Sequence, residues 1–277
     1  MKIYDSHAHT VNSHDGGQTM QELCLAAMEK GLCGIAVTDH ADMWFYESDN
    51  TYARIKNCIE QVHEMQKLYK NQIELLLGVE MGEYLYSPQH GETIMELAEY
   101  DIILGSVHSV FYEDWTDSYS RLSFDKETTQ MKKIIGFMHE YFTQMTNMIE
   151  HTDIDTVSHL TCPLRYINGK YKRGLDISQF NKEITHILSV MIERNLALEI
   201  NTSGINSELG DFMPEYNIVK KYYDMGGRLI TIGSDAHISK NIGNGWAEAI
   251  QMLKAAGFSC YHYYKKRIPF EVSFKDK

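Results

Sequence analysis

Two short stretches, Asp5-Ser6-His7-Ala8-His9 near the start and Gly233-Ser234-Asp235-Ala236-His237 in the last third, decide how this chain is read. Each follows a short run with β-strand character, Lys2-Ile3-Tyr4 in front and Leu229-Ile230-Thr231-Ile232 behind. Residues two apart on a strand share a face, so His7 and His9 aim two imidazoles at one point. Asp235 and His237 repeat the arrangement with an oxygen and a nitrogen. Two such pairs, one from each end of the chain, suggest a barrel rim that holds divalent metal.

Between them the pattern is strand, short loop, helix. Strands are predicted at Ile3-Tyr4, Gly34–Val37, Ile73–Val79, Ile102–Val107, Thr156–Ser158, Ala197–Ile200 and Leu229–Ile232. Helices are predicted at Thr19–Glu29, with Thr19 and Glu22 as a capping box, and at Tyr52–Tyr69, Pro88–Ala98, Lys126–Ile149, Ile177–Arg194, Glu215–Tyr223 and Gly245–Ala256. Regular alternation predicts a parallel sheet with helices outside, closed or nearly closed as a distorted TIM-like (β/α)7 barrel. An open doubly wound sheet is the second choice. No Gly-rich fingerprint follows the first strand, which argues against a dinucleotide fold. There is no Pro/Gly linker, so residues 1–277 are expected to form one domain.

Metal-type side chains follow these strands in turn: His7 and His9 with Asp15 beyond them, Asp39 and His40, Glu80, His108, His159, Glu199 and Asn201, then Asp235 and His237. A lone histidine is ordinarily a hydrogen-bonded core or surface residue. A ligand-type residue at nearly every strand end is improbable as packing, because burying so many polar groups without partners is costly. The mix is imidazole and carboxylate without thiolate, which suits Zn, Mn or Fe. The candidates exceed what one ion takes, implying two to three ions with a bridging carboxylate. His14, beside Asp15, is the alternative ligand in its loop.

The formal net charge of -12, with no basic stripe, makes nucleic acid a poor partner. The five cysteines include no C-x-x-C pair and read as reduced thiols of a cytoplasmic protein. No apolar run reaches transmembrane length, and no signal peptide is read ahead of the first strand.

The series Asp5-Ser-His7-Ala-His9, Thr38-Asp39-His40, Gly78-Val-Glu80, Gly105-Ser-Val-His108, Ser158-His159, Glu199-Ile-Asn201-Thr-Ser-Gly204 and Gly233-Ser-Asp235-Ala-His237 resembles the PHP (polymerase and histidinol phosphatase) superfamily. It covers nearly the whole chain, in order. The Asn201-Thr-Ser-Gly stretch and the length are similar to the stand-alone histidinol-phosphate phosphatases. The resemblance implies a trinuclear metal centre. His7, His9, Glu80 and Asp235 would hold one ion, Glu80, His108 and His159 a second, and Asp15, His40 and His237 a third. Arg165 matches a family arginine that holds phosphate, whereas the arginine often found after Asn-Thr-Ser-Gly is replaced here by Ile205-Asn206. The implied activity is hydrolysis of a small-molecule phosphate ester, L-histidinol phosphate, with Arg165, Asp235 and His237 at the reacting group. Another phosphate ester, such as phosphotyrosine or a nucleotide, is the alternative substrate. Glu113, Asp114 and Asp117, in the long loop 111–124, are possible partners for the substrate amine, though solvated loop acids are the simpler reading. Asp39 is expected to orient an imidazole rather than ligate.

Overall fold

The computed structural model describes residues 2–275. Strands β1 (Tyr4–Ala8), β2 (Gly34–Val37), β3 (His40–Asp42), β4 (Glu74–Gly82), β5 (Ile102–Ser106), β6 (Thr156–Val157), β7 (Ala197–Asn201) and β8 (Ile230–Gly233) build one parallel sheet. Its order is β1-β2-β4-β5-β6-β7-β8, with β3 pairing only with β4. The edges meet: the His9 N–H donates to the Ala236 carbonyl at 3.0 Å and the Asp235 N–H to the His7 carbonyl at 2.8 Å. The result is the expected distorted barrel, nearly closed, with its seam between the Asp5–His9 and Gly233–His237 motifs.

Helices α1 (Met20–Glu29), α2 (Thr51–Leu68), α3 (Pro88–Met95), α4 (Met131–His151), α5 (Asn181–Glu193), α6 (Tyr216–Asp224) and α7 (Trp246–Ala256) are the connections. The capping box is present: Thr19 accepts from the Glu22 N–H, and Glu22 accepts from the Thr19 N–H. The strands are buried on both faces, as parallel strands under helices must be. Among the described residues no helix is long and apolar enough to cross a membrane.

Several elements differ from the sequence reading. β1 runs through His7, so that histidine sits inside a strand rather than after it. β4 extends to Gly82 and places Glu80 within the barrel wall, beside His40 in register. α4 starts at Met131, because residues 107–130 form an ordered connection with bridges between Ser109 and Ser118 and between Tyr112 and Trp115. A C-terminal hairpin, β9 (Cys260–Lys265) and β10 (Ile268–Ser273), has no counterpart in the predicted elements. It packs on the end of the barrel where strands begin: the Tyr4 N–H donates to the Tyr261 hydroxyl at 2.9 Å, and Arg267 binds Asp153 and Asp155 ahead of β6.

Candidate metal centre

The opposite end, where strands finish, carries the polar residues. Gly233 shows why its motif begins with glycine: a Cβ there would stand 2.2 Å from Glu199 Oε1 and 2.5 Å from the His7 Cβ. Asp235 and His159 both adopt positive φ, 51° and 23°, an uncommon conformation for non-glycine residues that concentrates at functional sites.

All nine sequence-predicted ligand positions meet here. Glu80 is fully buried at the middle. Its Oε1 lies 2.8 Å from His159 Nε2 and 3.3 Å from His108 Nε2. Its Oε2 lies 2.8 Å from His40 Nδ1, 3.4 Å from His7 Nε2 and 3.6 Å from His9 Nε2. Asp235 Oδ1 is 3.3 Å from His9 Nε2 and 3.8 Å from His7 Nε2. Asp15 reaches His40 Nε2 at 3.5 Å and His237 Nε2 at 3.2 Å. His14 also lines the cavity, but its Nδ1 faces Asp49 at 3.6 Å.

The outward ring atoms explain how the inward ones are aimed. His7 Nδ1 donates to Glu199 at 2.6 Å, His108 Nδ1 to Asp42 at 3.0 Å, and His237 Nδ1 to the Asp235 carbonyl at 3.0 Å. His9 Nδ1 faces the Ser13 hydroxyl at 3.1 Å, and that hydroxyl donates to Asp39 at 2.7 Å. These contacts fix each ring with Nε2 directed into the site. Asp39 thus orients an imidazole through Ser13. Asp42 was not singled out by the sequence, and Glu199 appeared there only as a strand-end residue; their pairing needs the folded geometry. Glu83 was also missed. It is buried, accepts the Ser109 N–H at 2.8 Å and the His108 N–H, and is pushed up to about 8 by its burial and then by Asp42.

Inward, the polar atoms are not all satisfied by one another. Among the described residues His40 Nδ1 and Glu80 Oε2, though 2.8 Å apart, and His237 Nε2, though 3.2 Å from Asp15, are buried without an aligned hydrogen bond. His7 Nε2 and His9 Nε2 face each other at 2.9 Å, and His108 Nε2 and His159 Nε2 at 3.3 Å. Nitrogens and carboxylate oxygens crowd around shared points instead of pairing, which is how ligand atoms stand around cations. Four overlapping sets each fit one ion: His7/His9/Asp235, His7/Glu80/His159, His40/Glu80/His108 and His9/His40/His237. The donor chemistry therefore fits divalent metal. Cys162 lines the cavity but belongs to none of these sets, and burial raises its thiol above the usual value.

Charge follows the same geometry. Burial alone would disfavour ionised Glu80, yet His7, His108 and His40 outweigh it and hold the carboxyl well below its usual range. Burial likewise opposes a charged His40, but Glu80 raises it to about 9. His9 goes the other way, to about 3, through burial and then the neighbouring His237 and His40.

Arg165 opens the turn that follows His159. It donates to Asp235 Oδ2 at 3.2 Å and to the Ser203 hydroxyl, while its Nε is buried without a partner. Asp235 therefore shows one oxygen to the imidazoles and the other to the guanidinium. Phe45, Tyr119, Arg121 and Tyr166 complete the wall. Asn206 is exposed and outside it. The three loop acids considered for a substrate amine also lie outside: Asp114 pairs with Lys133 and Asp117 with Arg121.

A barrel whose strand ends gather imidazoles and carboxylates around a buried glutamate, with an arginine at the rim, defines a metallohydrolase class. The chain belongs to the PHP domain family, whose model matches residues 5–203. It is 27% identical over 272 residues to a probable histidinol-phosphatase of Clostridium acetobutylicum, covering 97% of this chain and 99% of that protein. It is 29% identical over 262 residues to a probable histidinol-phosphatase of Thermotoga maritima, covering 92% and 93%. Its fold matches the crystal structure of histidinol phosphate phosphatase from Lactococcus lactis, complexed with zinc, L-histidinol and phosphate. The TM-score is 0.77 at 20% identity, over 97% of this chain and 99% of that one.

Proposed function

We propose that this protein is a metal-dependent phosphomonoesterase that hydrolyses L-histidinol phosphate to L-histidinol and phosphate, a step of histidine biosynthesis in the cytoplasm. The observation that carries this reading is the array of imidazoles and carboxylates that converges around Glu80, beside an Arg165 whose Nε is buried without a partner. Its likeness to histidinol-phosphatases along nearly their whole length supports the substrate.

His7, His9, Glu80 and Asp235 would hold one ion, Glu80, His108 and His159 a second, and Asp15, His40 and His237 a third. Zn, Mn and Fe all suit this donor set. When bound, two or three such ions lower the pKa of a water nucleophile and neutralise phosphoryl oxygens. Arg165 holds a non-bridging phosphoryl oxygen, its plane fixed by Ser203 and Asp235. Asp235 couples that arginine to the ligand shell, so the phosphate and the centre keep one register. The partner is a small-molecule ester; the net charge of -12 disfavours nucleic acid.

The test is phosphate release from L-histidinol phosphate, phosphotyrosine and a nucleoside monophosphate, after chelation and re-addition of Mn or Zn. Clear preference for L-histidinol phosphate, dependent on metal, is expected. Faster turnover of another ester at equal metal loading would keep the chemistry and overturn the substrate.

A further inference from the structure

One cation in the cavity wall is explained neither by the ligand array nor by Arg165. Arg121 belongs to the connection between β5 and α4 and lines the same cavity as Arg165, His108 and Asp235. Among the described residues these two arginines are the only Arg or Lys side chains in that lining.

The segment carrying Arg121 is built rather than loose. Trp115 is buried against Phe124 and Phe137, with ring centroids 5.2 and 5.4 Å away. The Tyr119 N–H donates to the His108 carbonyl at 3.0 Å, and the Arg121 N–H to the Ser118 carbonyl at 2.9 Å. Arg121 therefore stands on a turn tied to the backbone of a proposed ligand. Its guanidinium lies 5.1 Å over the ring of Phe45, another wall residue. Its acidic contact, Asp117 at 3.4 Å, is long, and the two side chains are 53% and 44% exposed, so this pair is weakly held. Most of the guanidinium N–H groups are thus left for a ligand, and the aromatic face holds their plane.

The electrostatics call for such a group. A phosphate monoester dianion must enter past Asp15, Asp42 and Asp235 on a chain of net charge -12. Arg165 is already shared with Asp235 and Ser203. We infer that Arg121 is the second guanidinium of the phosphate site: it binds a non-bridging oxygen of the ester and, with Arg165, brackets the phosphoryl group. This inference rests on the phosphomonoesterase reading.

The experiment compares metal-loaded wild type with Arg121→Ala and Arg121→Lys. Lys126→Ala, which removes an exposed charge outside the cavity lining, serves as control. Each is assayed with L-histidinol phosphate and p-nitrophenyl phosphate, with inorganic phosphate as inhibitor. For Arg121→Ala, KM for both esters and Ki for phosphate should rise about tenfold or more. The kcat should fall far less than KM rises, and metal content should match wild type. Arg121→Lys should lie between, because it keeps charge and loses the fork. Unchanged KM and Ki in Arg121→Ala, beside an active wild type, would overturn the inference alone. So would a KM rise confined to L-histidinol phosphate, which would assign Arg121 to the leaving group. A wild type that cleaves neither ester would bring down the phosphatase reading, and Arg121 with it.

Discussion

The two ends of the barrel both gather charged side chains, and they treat them differently. Where strands begin, the charges that tie the hairpin to the barrel are paired within the protein. Asp155 accepts from the Ile103 N–H at 2.8 Å and from Arg267 Nε at 2.7 Å. Asp101 accepts from the Leu77 N–H at 2.9 Å and the Lys266 N–H at 3.0 Å, and Lys265 meets Glu74 at 2.6 Å. Where strands finish, imidazole nitrogens confront one another, and Glu80 Oε2 and His40 Nδ1 stand 2.8 Å apart without an aligned hydrogen bond. Polar groups that satisfy one another are scaffold; buried polar groups that converge without pairing are arranged for something else. The contrast separates stability from function within one fold.

Breaking the contrast at its centre should have the largest effect. Glu80→Gln removes the carboxylate between two proposed ions, so turnover should drop by about 10^3-fold or more while circular dichroism stays native. Measured metal content should fall in parallel. Next is Glu199→Gln, which leaves the ligands in place but weakens the aim of His7; metal affinity should decrease about 10- to 100-fold by competition with a chelator. At the other end, Arg267→Ala strands Asp155, which is only 7% exposed. Stability should fall by about 2 kcal/mol in denaturant titration, with kcat/KM per folded molecule nearly unchanged. The smallest effect concerns protons. With His40 raised to about 9 in the absence of cations, that ring is protonated at neutral pH. A cation taking its place must displace the proton, so metal affinity should rise with pH up to about 9. Calorimetry in buffers of different ionisation enthalpy should detect the proton released at pH 7.5.

How legible was this from the sequence? The set of side chains that converge at the rim was nearly complete in it, because strand periodicity and motif spacing are local properties. His7-x-His9 and Asp235-x-His237 needed only the rule that residues two apart share a face. The partners behind them were less legible. Asp42 lies on a three-residue strand with too little pattern to register, and its role depends on His108, which is 66 residues away in sequence. Glu199 looked like one more strand-end ligand until the fold set it against His7. The terminal hairpin was invisible for a physical reason. Its turn, Lys266-Arg267, has φ of 51° and 62°, a conformation usually announced by Asn-Gly or Asp-Gly. Here two cationic residues adopt it, with both turn N–H groups held by Asp101 and the Arg267 side chain held by Asp153 and Asp155.

The most direct test of the contrast is where metal binds. Crystals of the zinc-loaded protein, measured above and below the zinc absorption edge, should show two or three anomalous peaks among His7, His9, Asp15, His40, Glu80, His108, His159, Asp235 and His237. No such peak should appear beneath the hairpin. Full zinc loading with no peak at Glu80 would contradict the account.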